Sequence, residues 1–318
     1  MKMIYDRFSR PITGLRISVT DKCNLNCFYC HREGISSKGE EELTPEEIAR
    51  VVRIGAKHGV TKVKLTGGEP LLRKDIIEII EEISGIDEIE DISMTTNGIL
   101  LSKYAEKLRN AGLNRINISL DTLNPEKYRK ITGGGDIEKA LSGIDAAIEA
   151  KLKPVKINVV VMRGINENEI FEIIDRFSIS GVVVQLIEMV STNNKFFEKY
   201  FYNLNRIEEK ISKKSEKMIT RQMHNRKKYI LGKAEVEFVR PMHNTEFCMH
   251  CTRLRVTADG KFKPCLMRND NLVEFLHVMR GGASDEEIEK LFFKAIELRE
   301  PYFKDSRSIP ERNASTKP

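Results

Sequence analysis

No stretch of this 318-residue chain reaches the roughly 18 uncharged apolar residues that a membrane span needs. The start, Met1 to Pro11, contains Lys2, Asp6, Arg7 and Arg10 and lacks an apolar core, so no secretory leader is expected. A soluble, cytoplasmic protein with no membrane partner is the expectation. Low-complexity tracts are absent, as are internal repeats beyond a strand–helix rhythm, so no repeat architecture is expected. Cysteine is scarce. There are six, in two groups of three: Cys23, Cys27 and Cys30, then Cys248, Cys251 and Cys265. A reducing cytoplasm argues against disulfides, and tight spacing with no cysteine to spare argues for metal sites.

What is present is a chain 40% hydrophobic, enough to bury one large domain or one and a half. The net charge of +6 is unevenly placed: 195–228 holds eleven Lys or Arg against four Glu. Two readings stand. One is a solvated, Lys-rich helical face; the other is an electrostatic guide for an anionic substrate or a nucleic acid. There is no stacking motif or RNA-binding signature, so nucleic acid is not the expected partner.

Short Val- and Ile-rich runs read as buried parallel strands: Leu15–Thr20, Thr61–Leu65, Asp91–Thr95, Arg115–Leu120, Val155–Val161 and Val182–Ile187. Helical patterns lie between them. Thr44-Pro45-Glu46-Glu47 has the form of a capping box, with Gly59 at the stop. Asp75, Ser102 and Asp136 are expected to start later helices. Six strands alternating with helices therefore predict an α/β fold with a parallel sheet, curved or open. Ligands of such folds sit at the carboxyl ends of the strands. The turns Thr20–Cys23, Thr66–Pro70, Thr96–Gly98 and Ser119–Asp121 all fall there. The rhythm fades after Met189, and Ala234–Arg240 reads as a later strand. The expected division is 1–190 for the partial barrel, 191–303 for the C-terminal region, and 304–318 for a polar, disordered tail.

Cys23-x3-Cys27-x2-Cys30 puts three thiolates within eight residues. Zinc with His31 as fourth ligand is one reading. Covalent haem is another, since Cys27 to His31 matches C-x-x-C-H. The third is a four-iron cluster with one iron open for chemistry, since full protection would take four thiolates. At Cys248-x2-Cys251-x13-Cys265, zinc with His243 or His250 stands beside a second open cluster. Arg253 and Arg255, two apart in a strand, project to one face and suit a phosphate chain.

The C-x3-C-x2-C spacing with Tyr29 before its last cysteine resembles the radical SAM superfamily, and Gly67-Gly68-Glu69-Pro70 resembles that superfamily's GGEP turn. Cys248-x2-Cys251-Thr252-Arg253-Leu254-Arg255-x9-Cys265 and Leu15–Asp21 resemble the GTP 3′,8-cyclase family of molybdenum cofactor (molybdopterin) biosynthesis, over about Asp6 to Phe303. The close, Arg299–Phe303, is similar to archaeal members.

The resemblance implies an incomplete (βα)6 TIM-like barrel with a C-terminal region carrying a second iron–sulfur site, and with it two [4Fe-4S] clusters and S-adenosyl-L-methionine (SAM). Cys23, Cys27 and Cys30 would hold the SAM-binding cluster, and Cys248, Cys251 and Cys265 the one that meets the guanine of GTP. Tyr29, Gly68, Glu69 and Ser119 match SAM positions. Arg16, Lys64, Thr95, Lys156, Arg253 and Arg255 match GTP positions, with Arg253 and Arg255 as the catalytic pair. Implied partners are a ferredoxin- or flavodoxin-like reductant and a downstream cyclic pyranopterin monophosphate synthase. Two departures stand out. Gln185 takes the place of an arginine on the sixth strand of bacterial members. Their Gly-Gly tail is replaced by Thr316-Lys317-Pro318. The family's methionine falls on Met189 or Val190. The competing readings are another radical SAM enzyme with an auxiliary cluster, such as a peptide-modifying one, and a non-catalytic iron–sulfur or zinc protein. The first usually carries more C-terminal cysteines, and a carrier would cap its clusters with four.

Overall fold

The computed structural model describes residues 3–34, 41–179, 181–190, 194–242 and 244–301. The expected tail 304–318 and the zinc candidate His243 lie outside the described residues. Six parallel strands follow the expected positions: β1 (Gly14–Ser18), β2 (Lys62–Thr66), β3 (Asp91–Thr96), β4 (Arg115–Ser119), β5 (Val155–Val161) and β6 (Val182–Glu188). They are buried on the face that meets the surrounding helices, where Ile17, Leu65, Met94, Ile118, Ile157 and Leu186 are fully enclosed. Apolar residues, many of them Val and Ile, recur at alternate positions along these strands, which is why sequence alone locates them.

The C-terminal region does not form a sheet of its own. The strands β7 (Lys217–Arg221), β8 (Arg226–Leu231), β9 (Ala234–Val239), β10 (Arg253–Val256), β11 (Lys261–Lys263) and β12 (Val273–Glu274) extend the same sheet at both edges. Its order is β12-β11-β10-β1-β2-β3-β4-β5-β6-β9-β8-β7. β10 lies parallel to β1, and β9 parallel to β6. The sheet is open, and its outer pairs β10–β11, β11–β12, β8–β9 and β7–β8 are antiparallel.

Side-chain caps mark several helix starts. Thr44 accepts from the Glu47 amide at 3.2 Å while Glu47 accepts from Thr44 at 2.9 Å, completing the capping box of Pro45–Lys57. Asp136 accepts from the Glu138 amide at 3.1 Å and starts Ile137–Glu149. Two expectations fail in detail. Asp75 precedes Ile76–Ser84 but makes no side-chain cap, because Arg73 Nε takes its carboxylate at 2.8 Å. Ser102 starts no α-helix: it lies inside a 3-10 turn, Leu101–Lys103, and the α-helix begins at Ala105 after an uncapped Tyr104. A serine competes for backbone partners in any turn, so its presence alone does not locate a helix start.

The basic stretch is not one helical face. It spans the helices Asn194–Tyr200 and Asn205–Lys214 and then the β7–β8 hairpin.

Candidate active site

The strand register decides which polar side chains meet. Successive side chains along a strand alternate faces, so residues two apart share one. Across the sheet, Arg255 is level with Arg16, Arg16 with Lys64, and Lys64 with Ser93, which is level with Arg115. Thr95 is level with Asn117, and Asn117 with Lys156. Asn158 is level with Gln185, and Gln185 with Glu237. These rows face one cavity of about 1270 Å³. All six cysteines line it, together with Tyr29, Gly68, Glu69, Ser119, Arg16, Lys64, Thr95, Lys156, Arg253 and Arg255. Residues from both ends of the chain thus share one enclosure because β10 docks against β1.

The first cysteine loop is clamped by the glycine turn. Gly68 and Glu69 donate their amides to the carbonyls of Thr20 and Lys22, both at 2.7 Å. A Cβ on Gly67 would stand 2.3 Å from the Thr20 carbonyl oxygen, and one on Gly68 would stand 2.1 Å from that of Lys22. Only glycine permits this approach, and at Gly67 the φ of +153° adds a second reason. Glu69 is buried and accepts from Thr96 Oγ1 at 2.6 Å, the Asn97 amide at 2.7 Å and the Leu71 amide at 3.1 Å. Its carboxylate therefore ties the β2 turn to the end of β3, and burial raises its pKa against those three donors. A carboxylate has about four acceptor directions, so one is left for a ligand. Tyr29 donates to Asp121 Oδ2 at 2.5 Å, and Asp121 accepts from the Val160 amide at 2.8 Å, tying the cysteine loop to β5.

Cys23 and Cys27 sit in a field opposite to that at Cys251. Burial, with Asp121, Cys30 and Cys23 adding to it, pushes the Cys27 thiol up to about 12. Burial and Glu69 likewise raise Cys23. Such thiols ionise only with a cation in contact, as iron supplies. At Cys251 burial also works upward, but Arg299, Arg253 and Arg255 outweigh it and the net shift is down. Arg10 donates to the Cys248 carbonyl at 2.9 Å and Arg299 to the Cys251 carbonyl at 2.6 Å. Asp6 pairs with both arginines, at 2.8 and 2.9 Å, so the N-terminal segment holds the second cysteine loop. Among the described residues, no three His, Cys, Asp or Glu side chains cluster as a single metal ion would require. His250, a zinc candidate, lines the cavity with its Nδ1 2.9 Å from the Glu246 carbonyl oxygen.

Between the cysteine groups lies a cationic wall. Lys64 is 8% exposed and has no ion-pair partner among the described residues. Burial, then Arg16, Arg253, Arg115 and Lys156, lower its pKa well below the usual lysine value. Lys156 is lowered to about 8, by burial first, although Glu237 works to raise it. The wall therefore favours an anionic ligand, which would relieve both burial and mutual repulsion. Thr95 Oγ1, Asn117 Oδ1 and Thr252 Oγ1 are buried at this cavity without hydrogen-bond partners, further polar positions for a ligand to satisfy.

Several lining residues escaped the sequence reading: Glu33, Arg115, Asn117, Asn158 and Arg226; so did Glu237, buried behind Lys156 and paired with it. Glu33, on the loop after Cys30, pairs with both Arg16 and Arg255, accepting from Arg255 Nη1 at 2.8 Å. Asn117 and Asn158 had a legible signal, since each is a polar residue two positions from another in an apolar strand. Met189 is not a lining residue. It is 1% exposed and packs with Ile131 and Met162, while Val190 lines the cavity.

The chain matches two family models: "Radical SAM superfamily" over residues 17–177 and "Molybdenum Cofactor Synthesis C" over residues 182–305. It is 52% identical over 310 residues to a "Probable GTP 3′,8-cyclase" of Thermococcus kodakarensis, covering 95% of this chain and all of that one. It is 53% identical over 300 residues to a "Probable GTP 3′,8-cyclase" of Methanocaldococcus jannaschii, covering 94% and 99%. Among solved structures, the fold resembles native anSMEcpe with bound AdoMet at a TM-score of 0.59 and 17% identity, covering 82% of this chain and 77% of that one. Streptococcus suis SuiB bound to its precursor peptide SuiA gives 0.60 and 16%, and this chain spans 61% of its length. By its cysteine motif, its fold and its near full-length relatives, the chain belongs to the radical SAM superfamily and, within it, to the GTP 3′,8-cyclase family.

Proposed function

We propose that this chain is a GTP 3′,8-cyclase, joining C3′ of the ribose to C8 of guanine in an early step of molybdenum cofactor biosynthesis. The observation that carries this reading is the single cavity lined by both cysteine groups with a cationic wall between them. Membership of the radical SAM superfamily brings a [4Fe-4S] cluster and SAM. Cys23, Cys27 and Cys30 would hold that cluster. Cys248, Cys251 and Cys265 would hold a second, facing the guanine.

When bound, the cluster held by Cys23, Cys27 and Cys30 would supply the electron for reductive cleavage of SAM, and SAM would supply the radical chemistry at C3′. The residues of this chain bind, orient and shield. Gly68, with Glu69, Tyr29 and Ser119, forms the SAM side of the cavity. Arg16, Lys64, Lys156, Arg253 and Arg255 hold the triphosphate, and Thr95 offers it a hydroxyl. Four or five cations offset the desolvation of several negative charges. Glu33 sits between Arg16 and Arg255 and must yield to a phosphate placed there. A ferredoxin- or flavodoxin-like protein would supply the electron, and a cyclic pyranopterin monophosphate synthase would take the product.

The test is anaerobic reconstitution, counting of iron and sulfide, then addition of SAM, dithionite and GTP with products followed by mass spectrometry. About eight irons, 5′-deoxyadenosine and a cyclic product derived from GTP are expected. Full iron and 5′-deoxyadenosine with GTP unchanged would reject GTP as the substrate.

A further inference from the structure

The basic stretch 195–228 divides in space. Lys210, Lys213 and Lys214 on the helix Asn205–Lys214 are solvent-exposed and do not line the cavity. Arg221, Arg226 and Lys228 on the β7–β8 hairpin do line it. Lys228 is matched by Glu235, whose carboxylate it meets at 2.6 Å. The two arginines are not matched one for one. Their shared carboxylate is Glu237, which is fully buried and already accepts from Lys156 at 2.5 Å and Gln185 at 2.8 Å through Oε2. Its Oε1 lies 3.4 Å from Arg226 Nη2 and 3.4 Å from Arg221 Nε, and neither contact is a hydrogen bond. One carboxylate thus faces three cations, leaving an excess of two positive charges at this end of the cavity.

We propose that Arg226, with Arg221 beside it, is a further substrate-binding cation that grips the phosphate chain of the nucleotide at the β6–β9–β8 end of the cavity. The proposal rests on the reading of the cavity as a GTP site. The register supports it. Gln185 stands level with Glu237 on β9, and Glu237 is in turn level with Lys228 on β8. Strand β6 therefore brings no charge to this row, and the hairpin brings it from the next strands. Arg226 is mostly enclosed, with its side chain 11% exposed, so its charge is neither fully solvated nor neutralised. A guanidinium with unused donors matches a phosphate bidentately. Glu237 is a positioning residue here. It holds Lys156 and gathers the arginines, and it cannot cancel them.

The experiment is calorimetric binding of GTP and of GMP to the reconstituted, SAM-bound enzyme without oxygen, with cluster content as the loading check. Arg226→Gln is expected to weaken GTP at least about tenfold, the loss of one charge-assisted contact, while GMP changes far less. Arg226→Lys should recover part of the loss, and Lys213→Gln on the exposed helix should change neither ligand. Unaltered GTP affinity in a fully loaded Arg226→Gln enzyme would overturn the proposal, as would equal losses for GTP and GMP, which would indicate a structural role. If Arg226→Gln fails to load, Arg221→Gln carries the same comparison, its side chain being 41% exposed. A wild-type enzyme that binds neither nucleotide would overturn the GTP reading itself, a result distinguishable from either variant outcome.

Discussion

Lys156 reaches from β5 across β6 to Glu237 on β9, and the two form an ion pair at 2.5 Å with side chains 5% and 0% exposed. This pair fastens the first C-terminal strand on that edge of the sheet to the parallel core, and it does so at the cavity. Removing one member of a buried pair leaves the other uncompensated. Glu237→Gln is therefore expected to lower the stability of the cluster-loaded protein by about 3 kcal/mol, read from denaturant unfolding without oxygen. A loss below about 0.5 kcal/mol, the range of ordinary surface substitutions, would mean that solvent or the arginines replace the pair at no cost.

GTP binding should be coupled to proton uptake. Lys64 is lowered well below its usual value and Lys156 to about 8, chiefly by burial. A bound phosphate raises both again. Above about pH 8, then, binding takes up protons, and affinity falls as pH rises toward 9. Calorimetry in buffers of different ionisation enthalpy measures the uptake. A pH-independent affinity between 7.5 and 9 would remove these lysines from the phosphate site.

Glu33 competes for the cations that a phosphate needs. It lies against Arg16 and Arg255, and those two guanidiniums, acting against its burial, hold its carboxyl well below the usual range. Glu33→Gln removes the competing charge and should tighten GTP by a factor of roughly three to ten, on the scale of a partly buried ion pair. Weaker binding would instead assign Glu33 to ordering the loop after Cys30.

The cysteine groups should separate by phenotype. Replacing Cys23, Cys27 and Cys30 by alanine should remove roughly four irons and abolish 5′-deoxyadenosine formation. Replacing Cys248, Cys251 and Cys265 should remove a similar number yet leave SAM cleavage by dithionite measurable, with no cyclic product. If the second set loses no iron, the C-terminal group is not a cluster site.

Gly68→Ala should disable the SAM side. Its Cβ would meet the Lys22 carbonyl oxygen at 2.1 Å and the carbonyl carbon at 2.5 Å. These are backbone atoms that cannot swing aside, so the run leading into Cys23 must move. Reduced SAM binding with near-normal iron content is expected in equilibrium dialysis. Normal SAM affinity would show that the loop shifts freely.

What the sequence by itself determined was local. Cysteines grouped within a short span, a capping box and a strand of Val and Ile each carry their physics within one window of the chain. So both cysteine triplets, the glycine turn, the Thr44 and Asp136 caps and β1 to β6 were legible. Alternation along a strand also put Arg253 and Arg255 on one face, whereas Arg16, Lys64 and Lys156 were marked only by the family resemblance. Ser102 marks the limit of such reading, because a hydroxyl that suits a cap suits a turn equally well.

Tertiary structure alone decided what those local pieces face. Only the parallel docking of β10 on β1 brings Arg255 level with Arg16 and places both cysteine groups on one cavity. Only the addition of β9 and β8 beyond β6 brings Glu237 and Arg226 to the side of Lys156, and divides the basic stretch into a solvent-facing helix and a hairpin whose Arg221, Arg226 and Lys228 face the cavity. Register between strands far apart in the chain is set by hydrogen bonds and burial summed over the whole sheet, and no short window of residues contains that sum.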